Sequence, residues 1–238
     1  MNLRYITLGL DYETYIENDN QIRYDFQLNT RFICNFFSKA IRKYKFKTDG
    51  TFNMLSISVH EDKIEAPSIV PLDVLKVELP FDRTHYEKIR GSEDCDFYLD
   101  IFEEGFKKAA DFKQIPLDIL LTLLADFRTK NCKNEWIFKR KKFKEHDLEI
   151  TLTCEFTTNY FQIVATANQL SSEKELVKGV IIRTEPDEII FQNMFKDFTL
   201  VGDHFIIVNK FDDPILKINK SKLFERLLDY TIILCKHT

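Results

Sequence analysis

Glycine is scarce in this chain, and its scarcity excludes more folds and chemistries than any motif suggests. Six of the 238 residues are Gly, at positions 9, 50, 91, 105, 179 and 202, with no two close together. A loop that cradles phosphate needs clustered glycines, so that backbone N–H groups reach the anion without a Cβ in the way. P-loop NTPases, protein kinases and Rossmann dinucleotide enzymes are therefore not expected.

A chain of 238 residues forms one large domain or two smaller lobes. At that length it buries roughly 70–75% of its unfolded surface and needs neither a metal nor a disulfide staple. The net charge of −4 argues against non-specific nucleic-acid binding, which rests on neutralising phosphates with Lys and Arg. The five cysteines, at 34, 95, 132, 154 and 235, are odd in number and form no C-x-x-C. They are read as unpaired residues in a reducing, cytoplasmic setting. The apolar stretch Tyr5–Leu10 ends at Asp11, too short for a signal peptide, and no apolar run is long enough to span a membrane.

Hydrophobic periodicity predicts the elements. Residues 3–10 and 21–28 read as paired strands, the second through the alternation of Ile22, Tyr24, Phe26 and Leu28. Thr30 is expected to cap a helix over 31–44 with Phe32, Ile33, Phe36, Phe37, Ala40, Ile41 and Tyr44 on one face. Asp49-Gly50 turns into a strand at 51–60, and another strand lies near 72–79. Residues 83–130 read as helical, with Pro116 in a first turn. The period then changes from helix to strand, which places a lobe boundary near 131: an N-terminal α+β lobe over 1–130 and a β-rich lobe over 131–238 that ends in a helix. In the second lobe, 148–156 and 160–168 form a hairpin. Thr184 starts a short helix carrying Ile190, Met194 and Phe198. Gly202-Asp203 joins two strands. A strand at 214–218 precedes a last helix capped by Ser221, with Leu223, Phe224, Leu227, Leu228, Thr231, Leu234 and Cys235 on its buried stripe. The expected class is α+β, with antiparallel sheets, packed helices and two lobes sharing a core.

Three groups of residues could carry function. Glu93, Asp94, Asp96, Asp100, Glu103 and Glu104 form an acidic stripe with no base between 93 and 104. Like charges at three- and four-residue spacing repel by about 0.2–0.5 kcal/mol per pair. Such a stripe either faces a basic partner, lies solvated, or is neutralised by the chain's own bases. Residues 128–144 supply those bases, Arg128, Lys130, Lys133, Lys139, Arg140, Lys141, Lys142 and Lys144, interleaved with Trp136, Phe138 and Phe143. That segment fits a single-stranded nucleic-acid platform or a Lys-rich edge strand. The third group is Asp49 with Glu61 and Lys63, which resembles the (D/E)-x-K half-motif of Mg²⁺-dependent nucleases. The five histidines show no metal-ligand spacing, and no cofactor or metal is expected.

The reading that joins these features is a non-enzymatic, cytoplasmic protein-binding module that neutralises a partner. Its concrete form is an immunity protein in a bacterium, binding a basic secreted toxin domain through the carboxylates at 93–104. A Mg²⁺-dependent nuclease using Asp49, Glu61 and Lys63 and a non-catalytic structural subunit are the alternatives.

Overall fold

The computed structural model describes the chain except for residues 63, 188–193 and 234–238. It divides into two compact units, residues 1–134 with 157–159, and residues 135–156 with 160–238. The class is α+β, with three four-stranded sheets and packed helices.

The first unit runs β1 (Tyr5–Leu10), α1 (Tyr12–Ile16), α2 (Asn20–Tyr44), β2 (Met54–His60), β3 (Ser68–Val70), β4 (Val74–Pro80), α3 (Arg83–Ile89), α4 (Asp96–Phe112) and α5 (Leu117–Thr129). Its sheet has the order β1-β2-β4-β3. Strands β1, β2 and β4 are parallel, with Leu8 opposite Ile57 and Ile57 opposite Val77, and only β3 runs antiparallel. Helices α1 and α2 return the chain for the parallel β1–β2 pair, while β2 and the parallel β4 are joined through residues 61–73, which carry β3. The antiparallel expectation therefore fails for the core of this sheet, although it holds for β3.

Residues 21–28 form the start of α2 instead of a strand. Ile22 and Phe26 lie on the same side of a helix whose buried stripe continues through Thr30, Ile33, Phe37 and Ile41. Asp19 is the N-cap, accepting from the Ile22 N–H, while Thr30 sits in mid-helix and donates to the Phe26 carbonyl at 2.9 Å. Thr30 also donates to the Leu8 carbonyl, Ser38 both accepts from and donates to the Ile6 backbone, and the Leu8 N–H points to Cys34 Sγ. These side chains occupy the free edge of β1. The core beneath the sheet joins Leu55, Ile57, Leu75 and Val77 to Phe26, Phe37, Phe102 and Phe106, all buried. Gly105 lets α4 approach β2, because a Cβ there would meet Ile57 Cγ1 at 2.7 Å.

The second unit holds β5 (Asn134–Phe143, from its second residue), β6 (Leu148–Phe156), β7 (Phe161–Gln169) and β8 (Lys174–Thr184) in sequential order. A second sheet orders β12 (Tyr230–Ile232), β11 (Pro214–Asn219), β10 (His204–Val208) and β9 (Asp197–Val201). Phe143 packs on Phe198 and Phe205, which ties the two sheets together. The hairpin at Gly202-Asp203 forms as expected. The expected last helix does not. Among the described residues of that segment only α6 (Lys220–Phe224) is helical, capped by Asn219, and a left-handed Arg226 turns the chain so that Tyr230–Ile232 pairs with β11, while Leu234 and Cys235 lie outside the described residues. Unfilled hydrogen-bonding groups along β11 outweigh the helical spacing of Leu223, Leu227 and Thr231. The short helix expected after Thr184 falls mainly on residues 188–193, outside the described ones, while Phe198 lies in β9.

Candidate functional site

Glu93 and Asp94 precede α4, and Asp96, Asp100, Glu103 and Glu104 lie on it. The helix is held from its other side by buried Phe97, Tyr98, Leu99, Ile101, Phe102 and Phe106. Periodicity then forces the carboxylates outward, and Asp96 and Asp100 are 65% and 68% exposed. Glu93, Asp94 and Glu104 are exposed as well, and Glu103 is half-buried. Part of this charge is met locally. Arg128 of α5 donates from Nε to Asp96 at 2.9 Å and from Nη2 to Asp100 at 2.6 Å. Burial works against the Arg128 cation, but these two carboxylates hold its pKa above the usual guanidinium value. Lys107 donates to Glu103 at 2.6 Å and draws that carboxyl below its ordinary range.

A disulfide joins Cys95, the residue before α4, to Cys132 in the turn after α5, with Cα atoms 6.6 Å apart. This corrects the expectation of unpaired cysteines. Antiparallel packing of α4 and α5 brings together two residues 37 positions apart, a proximity that spacing alone does not reveal. Cys34 and Cys154 are not in a disulfide.

The nuclease residues do not converge. Asp49 precedes β2 and Glu61 follows it, so the seven residues of that strand separate them by about 20 Å. Asp49 is instead bonded to Lys113 and Thr51, which pull its carboxyl far down. Glu61 accepts from the Tyr15 hydroxyl. Lys63 lies outside the described residues. Asp49 and Glu61 cannot share one ion in this arrangement. Among the described residues no three His, Cys, Asp or Glu side chains are grouped to hold a metal.

The basic segment runs from the end of α5 into edge strand β5, and the four consecutive bases of that strand, Lys139 to Lys142, are paired. Lys139 and Lys141 reach Asp197, while Arg140 and Lys142 face Glu149. Trp136 packs near Phe161 and Phe138 near Phe195, so these rings serve the unit's packing.

Sequence reasoning missed a polar cluster on the face of the first sheet opposite α4. Strand alternation puts Ser56, Ser58 and His60 of β2 and Lys76 and Glu78 of β4 on that face. Asp11 joins them at the end of β1. Lys76 donates to Glu78 at 2.9 Å and to Asp11 at 3.3 Å, and Ser58 donates to Asp11 at 3.3 Å. Glu78 also accepts from the Glu65 N–H and contacts His60 Nε2 at 3.1 Å. Burial alone would raise the Glu78 and Asp11 carboxyls, but hydrogen bonds outweigh it, from Lys76, Glu65 and His60 for Glu78 and from Thr14 and Lys76 for Asp11. Both carboxyls therefore titrate below their usual range. Lys76 is pushed up by Glu78 and Asp11 in turn. The usable signal was the two-residue rhythm of Ser56, Ser58, His60 and of Lys76, Glu78 within otherwise apolar strands.

No protein-family model matches this sequence, no characterised protein matches it, and no solved structure matches the fold.

Proposed function

We infer that the protein is a binding module that neutralises a protein partner, most concretely as a bacterial immunity protein acting in the cytoplasm on a basic toxin domain. The observation that supports this is the α4 face, where exposed carboxylates project from a helix whose opposite side is fully packed. A rigid array of one sign steers a basic surface into register and loses little entropy on docking. Arg128 leaves Glu93, Asp94 and Glu104 outside its bidentate reach. Among the described residues no helix is long and apolar enough to cross a membrane. In a reducing cytoplasm the Cys95–Cys132 bond would open, and the apolar face of α4 would still hold the helix in place.

The test starts with a tagged pull-down at low salt and an activity assay on the captured partner with and without the protein. Substituting Asp96, Asp100 and Glu104 together with Lys should then weaken binding by about tenfold or more and flatten its salt dependence. Unchanged affinity, or a partner whose activity is unaffected, would rule out this reading.

A further inference from the structure

Of the six glycines, three adopt left-handed φ and two are crowded, Gly105 by Ile57 and Gly179 by Leu228. Gly9 has neither reason. It lies inside β1 opposite Ser58, without a left-handed φ, and a Cβ built on it meets nothing within 4 Å. Glycine within a strand weakens it, and a common cause is close approach of a ligand to the backbone. Above Gly9 the open face of the sheet forms a trough of about 520 Å³, lined by Thr7, Ser56, Met54, Val74, Asp11 and Lys76. Its polar end lies at the carboxyl ends of parallel strands, where open α/β sheets bind ligands. Its volume falls in the range of small-molecule pockets, roughly 300–1,000 Å³.

We propose that this trough binds a small neutral polyhydroxylated molecule, a sugar or the ribose portion of a nucleoside. The lining sets the class. Asp11 offers a carboxylate acceptor, Lys76 an ammonium donor, and Thr7 and Ser56 hydroxyls that do both. Ligand hydroxyls, which also donate and accept, satisfy such a set. Met54 and Val74 give an apolar wall for the C–H face of a ring. The lining carries two carboxylates, Asp11 and Glu13, and two cations, Arg23 and Lys76, with Lys76 shared between Asp11 and Glu78, so it has no net positive charge to draw an anion. The site is separate from the α4 face, and its occupancy does not depend on a protein partner.

The test is saturation-transfer NMR on the full chain with D-glucose, D-ribose and adenosine at millimolar concentration, comparing the natural protein with Gly9→Val. A valine adds bulk into open space and suits a strand, so the variant should fold at least as stably while its affinity falls by about tenfold or more. Asp11→Asn, which keeps the cap on α1, should weaken binding too. Transfer to glucose without adenosine identifies a saccharide site, and transfer to adenosine without glucose a nucleoside site. No transfer to any of the three probes, or equal binding by Gly9→Val, overturns the proposal.

Discussion

At the scale of single residues, two glycines with opposite surroundings make opposite predictions. Gly105→Ala gains helix propensity of about 1 kcal/mol, but its methyl group runs into Ile57 and overpacking costs about 1–3 kcal/mol. Urea denaturation should show a net loss of stability, whereas Gly9→Val should show none. The Lys76 side chain is 32% exposed and its ammonium neutralises Glu78, whose side chain is only 7% exposed. Lys76→Met should therefore cost about 1–3 kcal/mol, read in the same way. The sign of the pH dependence follows from the depressed carboxyls. Glu78 and Asp11 titrate below their ordinary values of 4.5 and 3.8 in the folded chain, so the stability they contribute is present above those values and is lost as pH falls through the folded ones. Melting temperature should hold from neutral pH to about 5 and drop below about 4, and Glu78→Gln should give a lower plateau with a shallower acid limb. The two-residue rhythm marks the polar face of each strand, but the convergence of the cluster was not legible, since Asp11 meets Ser58 across 47 positions and Lys76 across 65. The acidic stripe of α4 was legible as a helical pattern, but its exposure and its partial pairing with Arg128 were not.

At the scale of elements, legibility depended on the length of the periodic window. Ile22, Tyr24, Phe26 and Leu28 fit a two-residue period over eight positions, but α2 extends over 25 residues and its full stripe has the helical period. The last segment failed for the converse reason: the helical pattern after Ser221 is genuine, yet the edge of β11 is satisfied by β12. Strand β8 went unseen because only Ile181 among its residues is buried. The α4–α5 pair carries its own prediction. Arg128 bridges two exposed carboxylates, so Arg128→Ala should cost less than about 1 kcal/mol in denaturant while freeing two more negative charges on the face. If that face docks a basic partner, the variant's association rate at low salt should rise.

At the scale of the whole molecule, the described residues form one unit over 1–134 with 157–159 and another over 135–156 with 160–238, the latter built from two antiparallel sheets. What the sequence left hidden was the covalent link. The Cys95–Cys132 bond closes a loop of 37 positions, and loop-entropy reasoning credits such a closure with up to about 4 kcal/mol. A Cys95→Ser, Cys132→Ser double variant should lose about 2–4 kcal/mol against the oxidised protein and match the reduced one. Equal stability of all three would mean that the loop is already fixed by α4 and α5. The polar side chains of α2 have a different reach. With Thr30, Ser38 and Cys34 occupying the rim of β1, a strand from another molecule finds its docking positions taken there. Fibril growth along that side of the sheet must begin with the peeling away of α2, so resistance to amyloid should track the anchoring of one helix.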